Sequence, residues 1–129
     1  MHIASRTALA AIATSMLSPI FGAIFYFATG GGKDMWSVFI PLAAWLVAIF
    51  HIAIIGIPIF FILRHKHYLS WLSLAVAGFL AGFIPIAALT WPIHGYETLQ
   101  GYLGGSVIFG LFGLVSALFF WRTWEALGA

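Results

Sequence analysis

The chain predicts an all-α polytopic membrane protein, a single domain over residues 1–129 built as an antiparallel four-helix transmembrane bundle. Three observations carry that prediction. Of the 129 residues, 64% are hydrophobic and only 6% are charged, whereas soluble domains carry about 25% charge. The apolar run 36–63 contains no charged side chain and stops at the basic cluster Arg64-His65-Lys66-His67. A helix through hydrocarbon needs about 20 such residues. Finally, the apolar runs are continuous rather than alternating, and only short polar turns separate them. In lipid the backbone must satisfy itself, which such runs do as helices.

The first span is placed at about 7–28. Its start resembles a secretory signal, with Arg6 ahead of an apolar core, but the apolar run continues to Ala28 and suits a spanning helix better. The loop Thr29-Gly30-Gly31-Gly32-Lys33-Asp34 follows. A phosphate-binding loop would need glycine where Phe27 stands and Ser or Thr where Asp34 stands, so a flexible turn is expected. The second span, 36–63, ends at the basic turn. The third, 69–91, ends at Pro92, which cannot continue a helix. A polar loop, 92–101, leads to the fourth span at 102–121.

The aromatic residues mark two interfaces, as amphipathic rings prefer headgroup depth. Tyr26, Trp36, Trp91, Tyr96 and Tyr102 belong to one; Tyr68, Trp71, Trp121 and Trp124 belong to the other. Arg6, Arg64, Lys66 and Arg122 anchor one side against Lys33 alone on the other. The positive-inside rule then puts both termini in the cytoplasm, in what the sequence suggests is a bacterial inner membrane.

Lipid tails supply no hydrophobic drive between helices, so close packing relies on small side chains. Ala8, Ala11, Ser15, Ser18 and Gly22 form a heptad-like stripe on the first span. Gly78 and Gly82 pair on the third, and Ser106, Gly110, Gly113 and Ala117 stripe the fourth. These faces predict either a tight bundle or an oligomer. Pro19, Pro58 and Pro85 each remove a backbone donor and are expected to interrupt their helices, whereas Pro41 lies near a helix start.

His51 is the one ionisable side chain near the middle of a span. On a helical wheel it shares a face with Ser37, Ala44, Ala48, Ile55 and Pro58; Leu42, Trp45, Ile49 and Phe60 fall on the opposite, lipid-facing side. Groups at such depth point into the bundle and mark candidate sites. Ser18, or the Ser15 carbonyl freed by Pro19, is the expected partner, and structural glue is favoured over proton or ligand handling. A second candidate is the outer recognition set Asp34, His94, Tyr96 and Glu97.

The same inventory excludes several functions. A net charge of +2 from five basic and three acidic groups is too small for nucleic-acid binding. There is no cysteine for a thiolate, disulfide or sulfur-ligated metal. No second deep histidine is available for haem, and no embedded carboxylate for acid–base or proton-coupled work. No enzyme activity, cofactor or metal site is expected. The reading that remains is a small membrane protein acting through helix–helix and loop contacts. It would be an accessory subunit of a membrane complex, or an immunity-type protein against a membrane-directed toxin. Its partners are the bilayer and other transmembrane helices. The alternative is an oligomeric channel or small-solute transporter whose path is lined by His51, Ser15 and Ser18.

Overall fold

The computed structural model describes residues 2–28, 30–32, 34–90 and 99–129. Among them every regular element is helical, in the order α1 (Ile3–Ser15), α2 (Leu17–Ala28), α3 (Trp36–His51), a π-helical segment (Ile52–Gly56), α4 (Ile57–His65), α5 (Trp71–Thr90) and α6 (Leu99–Ala126). Four stretches are long and apolar enough to cross a membrane: Ile3–Ala28, Trp36–His65, Trp71–Ala88 and Leu103–Ala126.

These bounds differ from the expected ones at the helix ends, and local hydrogen bonds explain where. At the N-terminus the His2 side chain accepts a bond from the Ala4 N–H, so α1 begins at Ile3 and takes Arg6 into the helix. The third span starts at Trp71 rather than Leu69, with Ser70 as the residue that caps it. The Ser70 hydroxyl accepts the Ser73 N–H at 3.1 Å, while Ser73 Oγ accepts the Ser70 N–H at 3.0 Å. This reciprocal pair is a capping box with serine in place of the usual Glu or Gln. The fourth span runs five residues past its expected end, to Ala126.

Two helix ends close in the same way. His67, at φ 59°, donates its N–H to the Arg64 carbonyl, and Tyr68 donates to the Leu63 carbonyl. Gly30, at φ 88°, donates to Phe27, and Gly31 donates to Tyr26. Both are Schellman motifs, in which a left-handed residue turns the chain back onto the last carbonyls. Glycine suits that conformation, and histidine is among the side chains that tolerate it.

Of the three prolines expected to interrupt helices, two coincide with a break. Upstream of Pro19 the helix breaks at Met16, whose N–H reaches the Ala13 carbonyl at 3.3 Å in a tightened turn. Immediately upstream of Pro58 the backbone widens into the π-helical segment, where the Ile57 N–H bonds the Ile52 carbonyl. Widening is a known remedy when a proline ring would strike the carbonyl four residues back. Pro85, by contrast, lies inside an unbroken α5. One turn earlier, Gly82 is pressed against the backbone of Phe109 and Gly110, and this close support accompanies the uninterrupted helix.

The chain divides into two compact units, residues 1–58 with 122–129, and residues 59–121. In the first unit α2 lies against α3 where Gly22 meets Ala44 and Pro41. The ends of the chain also meet there: the Arg6 guanidinium lies 3.5 Å from the centroid of the Trp124 ring, and Arg6 Nε donates to the Trp124 carbonyl. In the second unit Phe60 and Phe120, both buried, pack edge to face with centroids 5.2 Å apart. Leu74, Ala75, Ser106 and Gly110 are buried in the same unit.

Phe60 corrects the helical wheel, which had assigned it to lipid. A wheel drawn at 100° per residue fails across the π-helical segment. One extra residue in a turn sets everything beyond it back by roughly 100°.

Candidate functional site

The intramembrane candidate is built from α1, α3 and the π-helical segment. Ser15 ends α1 and is only 1% exposed. Its hydroxyl donates to the Ile12 carbonyl at 2.7 Å and accepts the Trp45 indole N–H at 3.2 Å. Trp45 therefore turns its polar atom inward, although its wheel position faces lipid. An indole N–H has no partner among acyl chains, and the side chain is long enough to reach back to a neighbouring helix. Sequence spacing alone cannot reveal that reach; the signal was an indole set deep in a span.

His51 is the last residue of α3, half-buried, and directly precedes the π-helical segment. π-bulges in α-helices occur frequently at functional sites. Here the feature sits between His51 and Pro58. Ser18 lies in α2, half-buried, one residue ahead of Pro19.

The other hydroxyls in the first span are satisfied by their own helix. Thr7 Oγ1 donates to the Ile3 carbonyl at 2.9 Å, and Thr14 Oγ1 donates to Ala10 at 2.7 Å. Thr7, Ala10 and Thr14 are buried with Ser15, whereas Ala8 is exposed and Ala11 half-buried. Folding a threonine hydroxyl back onto the carbonyl four residues earlier leaves a compact, apolar exterior. Threonine thereby serves as a packing residue, which a search for Ala, Ser and Gly overlooks.

In the second unit the predicted small residues meet one another. A Cβ on Gly78 would collide with the Gly113 carbonyl and with Ala117, and one on Gly113 would collide with Gly78. Gly82 abuts the Phe109 carbonyl and Gly110. A Cβ on Gly110 would lie 2.7 Å from the Phe79 ring. Ser106 is fully buried.

The outer-loop set is only partly visible. The Tyr26 hydroxyl donates to the Asp34 carboxylate at 2.5 Å, and the Asp34 carbonyl accepts both the Ser37 hydroxyl, at 2.7 Å, and its N–H, at 3.1 Å. Asp34 thus ties the turn between α2 and α3. His94, Tyr96 and Glu97, together with Lys33, lie outside the described residues.

Of the basic anchors, Arg6 is engaged by Trp124, and Arg122 lies 3.8 Å from Glu125 with its side chain 83% exposed. Arg64 and Lys66 flank the end of α4, and Lys66 is exposed. Among the described residues no three His, Asp or Glu side chains converge as metal ligands. Compared with models of protein families, with curated proteins and with solved structures, the chain matches none.

Proposed function

We propose that the chain is an inner-membrane protein of four antiparallel spans, with both termini cytoplasmic, that acts by contact with other transmembrane helices. It would serve as an accessory subunit of a membrane complex or as an immunity-type protein against a membrane-directed toxin. One observation carries this reading. The stretch Trp36–His65, the most apolar of the four, has only 6% of its spanning window buried by its own chain. Val38, Phe39, Leu46, Val47, Phe50 and Ile54 all stand exposed along it. The glycine faces of α5 and α6, meanwhile, are occupied by each other. A partner helix would therefore approach along the second span, where large side chains offer dispersion contact.

The topology has its own support. Gly78 meets Gly113 while Gly82 meets Phe109 and Gly110, a pairing that runs in opposite directions along the two helices. Ser15 with Trp45, and Gly22 with Pro41 and Ala44, follow the same sense. The contact between Arg6 and Trp124 favours both ends lying on one side, as an even number of crossings requires.

The channel reading draws on a different observation, the π-helical segment beside His51. Against it, the Ser15 hydroxyl is already occupied by the Ile12 carbonyl and the Trp45 indole. The two readings separate in one experiment. The protein is purified in mild detergent, its mass and co-purifying chains are measured, and solute flux is compared for wild type and His51→Ala in liposomes. A stoichiometric partner that is lost on Val47→Trp supports the contact reading. Flux through the wild type that disappears with His51→Ala replaces it with the channel.

A further inference from the structure

A surface groove of about 570 Å³ runs along α5 in the second unit, lined by Leu63, Tyr68, Leu72, Val76, Ala77 and Leu80, with Ser70 and Ser73. From Leu72 to Leu80 it follows the helix for about 12 Å at 1.5 Å per residue. Its two ends differ in chemistry. Leu80 and Val76 make one end wholly apolar. The other meets the turn between α4 and α5, where Tyr68, Ser70 and Ser73 carry hydroxyls.

That turn follows directly on Arg64-His65-Lys66-His67, of which His65, Lys66 and His67 are exposed. The Schellman bonds of His67 and Tyr68, with the Ser70–Ser73 capping box, hold it in one shape. A basic turn adjoining an apolar surface groove, at the end of a spanning helix, complements a molecule with an anionic head and an acyl tail.

We propose that this groove is a selective site for one anionic glycerophospholipid. Its headgroup phosphate is met by Lys66 and the neighbouring imidazoles, and the first part of one acyl chain lies against Leu72, Val76 and Leu80. Ordinary annular contact does not distinguish headgroups; a lysine in the adjoining turn does. One lysine near an anionic headgroup corresponds to about a fivefold preference. This site needs only that the chain spans a bilayer, and stands apart from the question of a protein partner.

The test uses the full chain in neutral detergent, loaded with phosphatidylglycerol and phosphatidylcholine of matched acyl chains. Native mass spectrometry counts the lipids retained. Wild type should keep one phosphatidylglycerol with about fivefold preference. Lys66→Gln should bring the two lipids near parity, Lys66→Arg should keep the preference, and Ala77→Trp should reduce retention of both. Arg122→Gln removes another exposed cation, one that does not adjoin the groove in sequence, and should change nothing. Equal retention of the two lipids by wild type, or equal loss of preference in Arg122→Gln, reduces the groove to generic lipid contact and overturns the proposal. So does inorganic phosphate competing as well as the whole lipid, which would leave no role for the slot. Helical circular dichroism of each variant separates lost binding from lost folding.

Discussion

Gly78 and Gly113 meet backbone to backbone where α5 crosses α6, and neither position has room for a methyl group. The obstacle is a carbonyl in each case, which cannot rotate aside as a side chain can. Gly113→Ala should therefore destabilise the protein by about 1–3 kcal/mol through overpacking. Gly104, on the same helix with nothing within 4 Å, is the control. Gly104→Ala should be neutral or gain about 0.5–1 kcal/mol from lower unfolded-state freedom. Unfolding by added denaturing detergent, followed by circular dichroism, measures both. Equal curves for the two variants would contradict the close approach.

The bond between Ser15 and Trp45 links α1 to α3 inside the apolar layer. Interhelical hydrogen bonds in membranes average about 0.6 kcal/mol, so Trp45→Phe should cost little more than that. Ser15→Ala should show a loss of the same order, and the double variant should lose less than the two singles combined. Strict additivity would mean the two side chains do not interact.

Arg6 and Trp124 clasp the ends of the chain together. A guanidinium over an indole contributes roughly 0.5–2 kcal/mol, depending on how far it is desolvated. Arg6→Lys keeps the charge but not the flat stacking surface, and should lose part of that stability. Arg6→Gln should lose more. The readout is proteolysis of the C-terminal segment, which Arg6→Gln should accelerate; an unchanged rate would remove the clasp.

The turn between α4 and α5 has two separable supports. Ser70→Ala removes the cap and should cost about 1 kcal/mol. His67→Gly relieves a left-handed backbone and should be stabilising or neutral, within about 1 kcal/mol. Thermal unfolding of the purified variants should place them on opposite sides of wild type, or at least place only Ser70→Ala below it.

Pro58 is the natural cause of the π-helical segment upstream of it. Pro58→Ala should let that turn tighten, rotating residues beyond it by about 100° relative to α3. Cysteines placed singly at Ile62 and Leu63 report this with a water-insoluble thiol reagent, since Ile62 is exposed and Leu63 half-buried. Their labelling order should change in Pro58→Ala; an unchanged order would trace the π turn to something other than the proline.

Much of the helical layout was legible from composition alone, because lipid permits so few solutions. The four apolar stretches coincide with the expected spans to within a few residues at most ends. The larger shifts, at Ile3 and Ala126, arise where polar termini extend a helix beyond the apolar run. The candidate site was harder to read. Phe60 and Trp45 were both assigned to lipid by a uniform wheel, and both face protein instead. One was displaced by a π turn, the other by the length of an indole. The buried threonines were invisible because their hydroxyls look polar until they fold onto carbonyls one turn earlier in the same helix.

From its residues alone, the chain determines four apolar helices, the turns between them, and one histidine deep in a span. Those features follow from the cost of exposing backbone to hydrocarbon, which any apolar stretch of sufficient length must meet in the same way. Tertiary structure alone decided which faces meet. Small-residue stripes can serve a bundle or an oligomer equally well. Only the packing of Gly78, Gly82, Gly110 and Gly113 shows them used within the chain. Only the widened turn at Ile52–Gly56 shows that a uniform helical wheel does not hold along the second span.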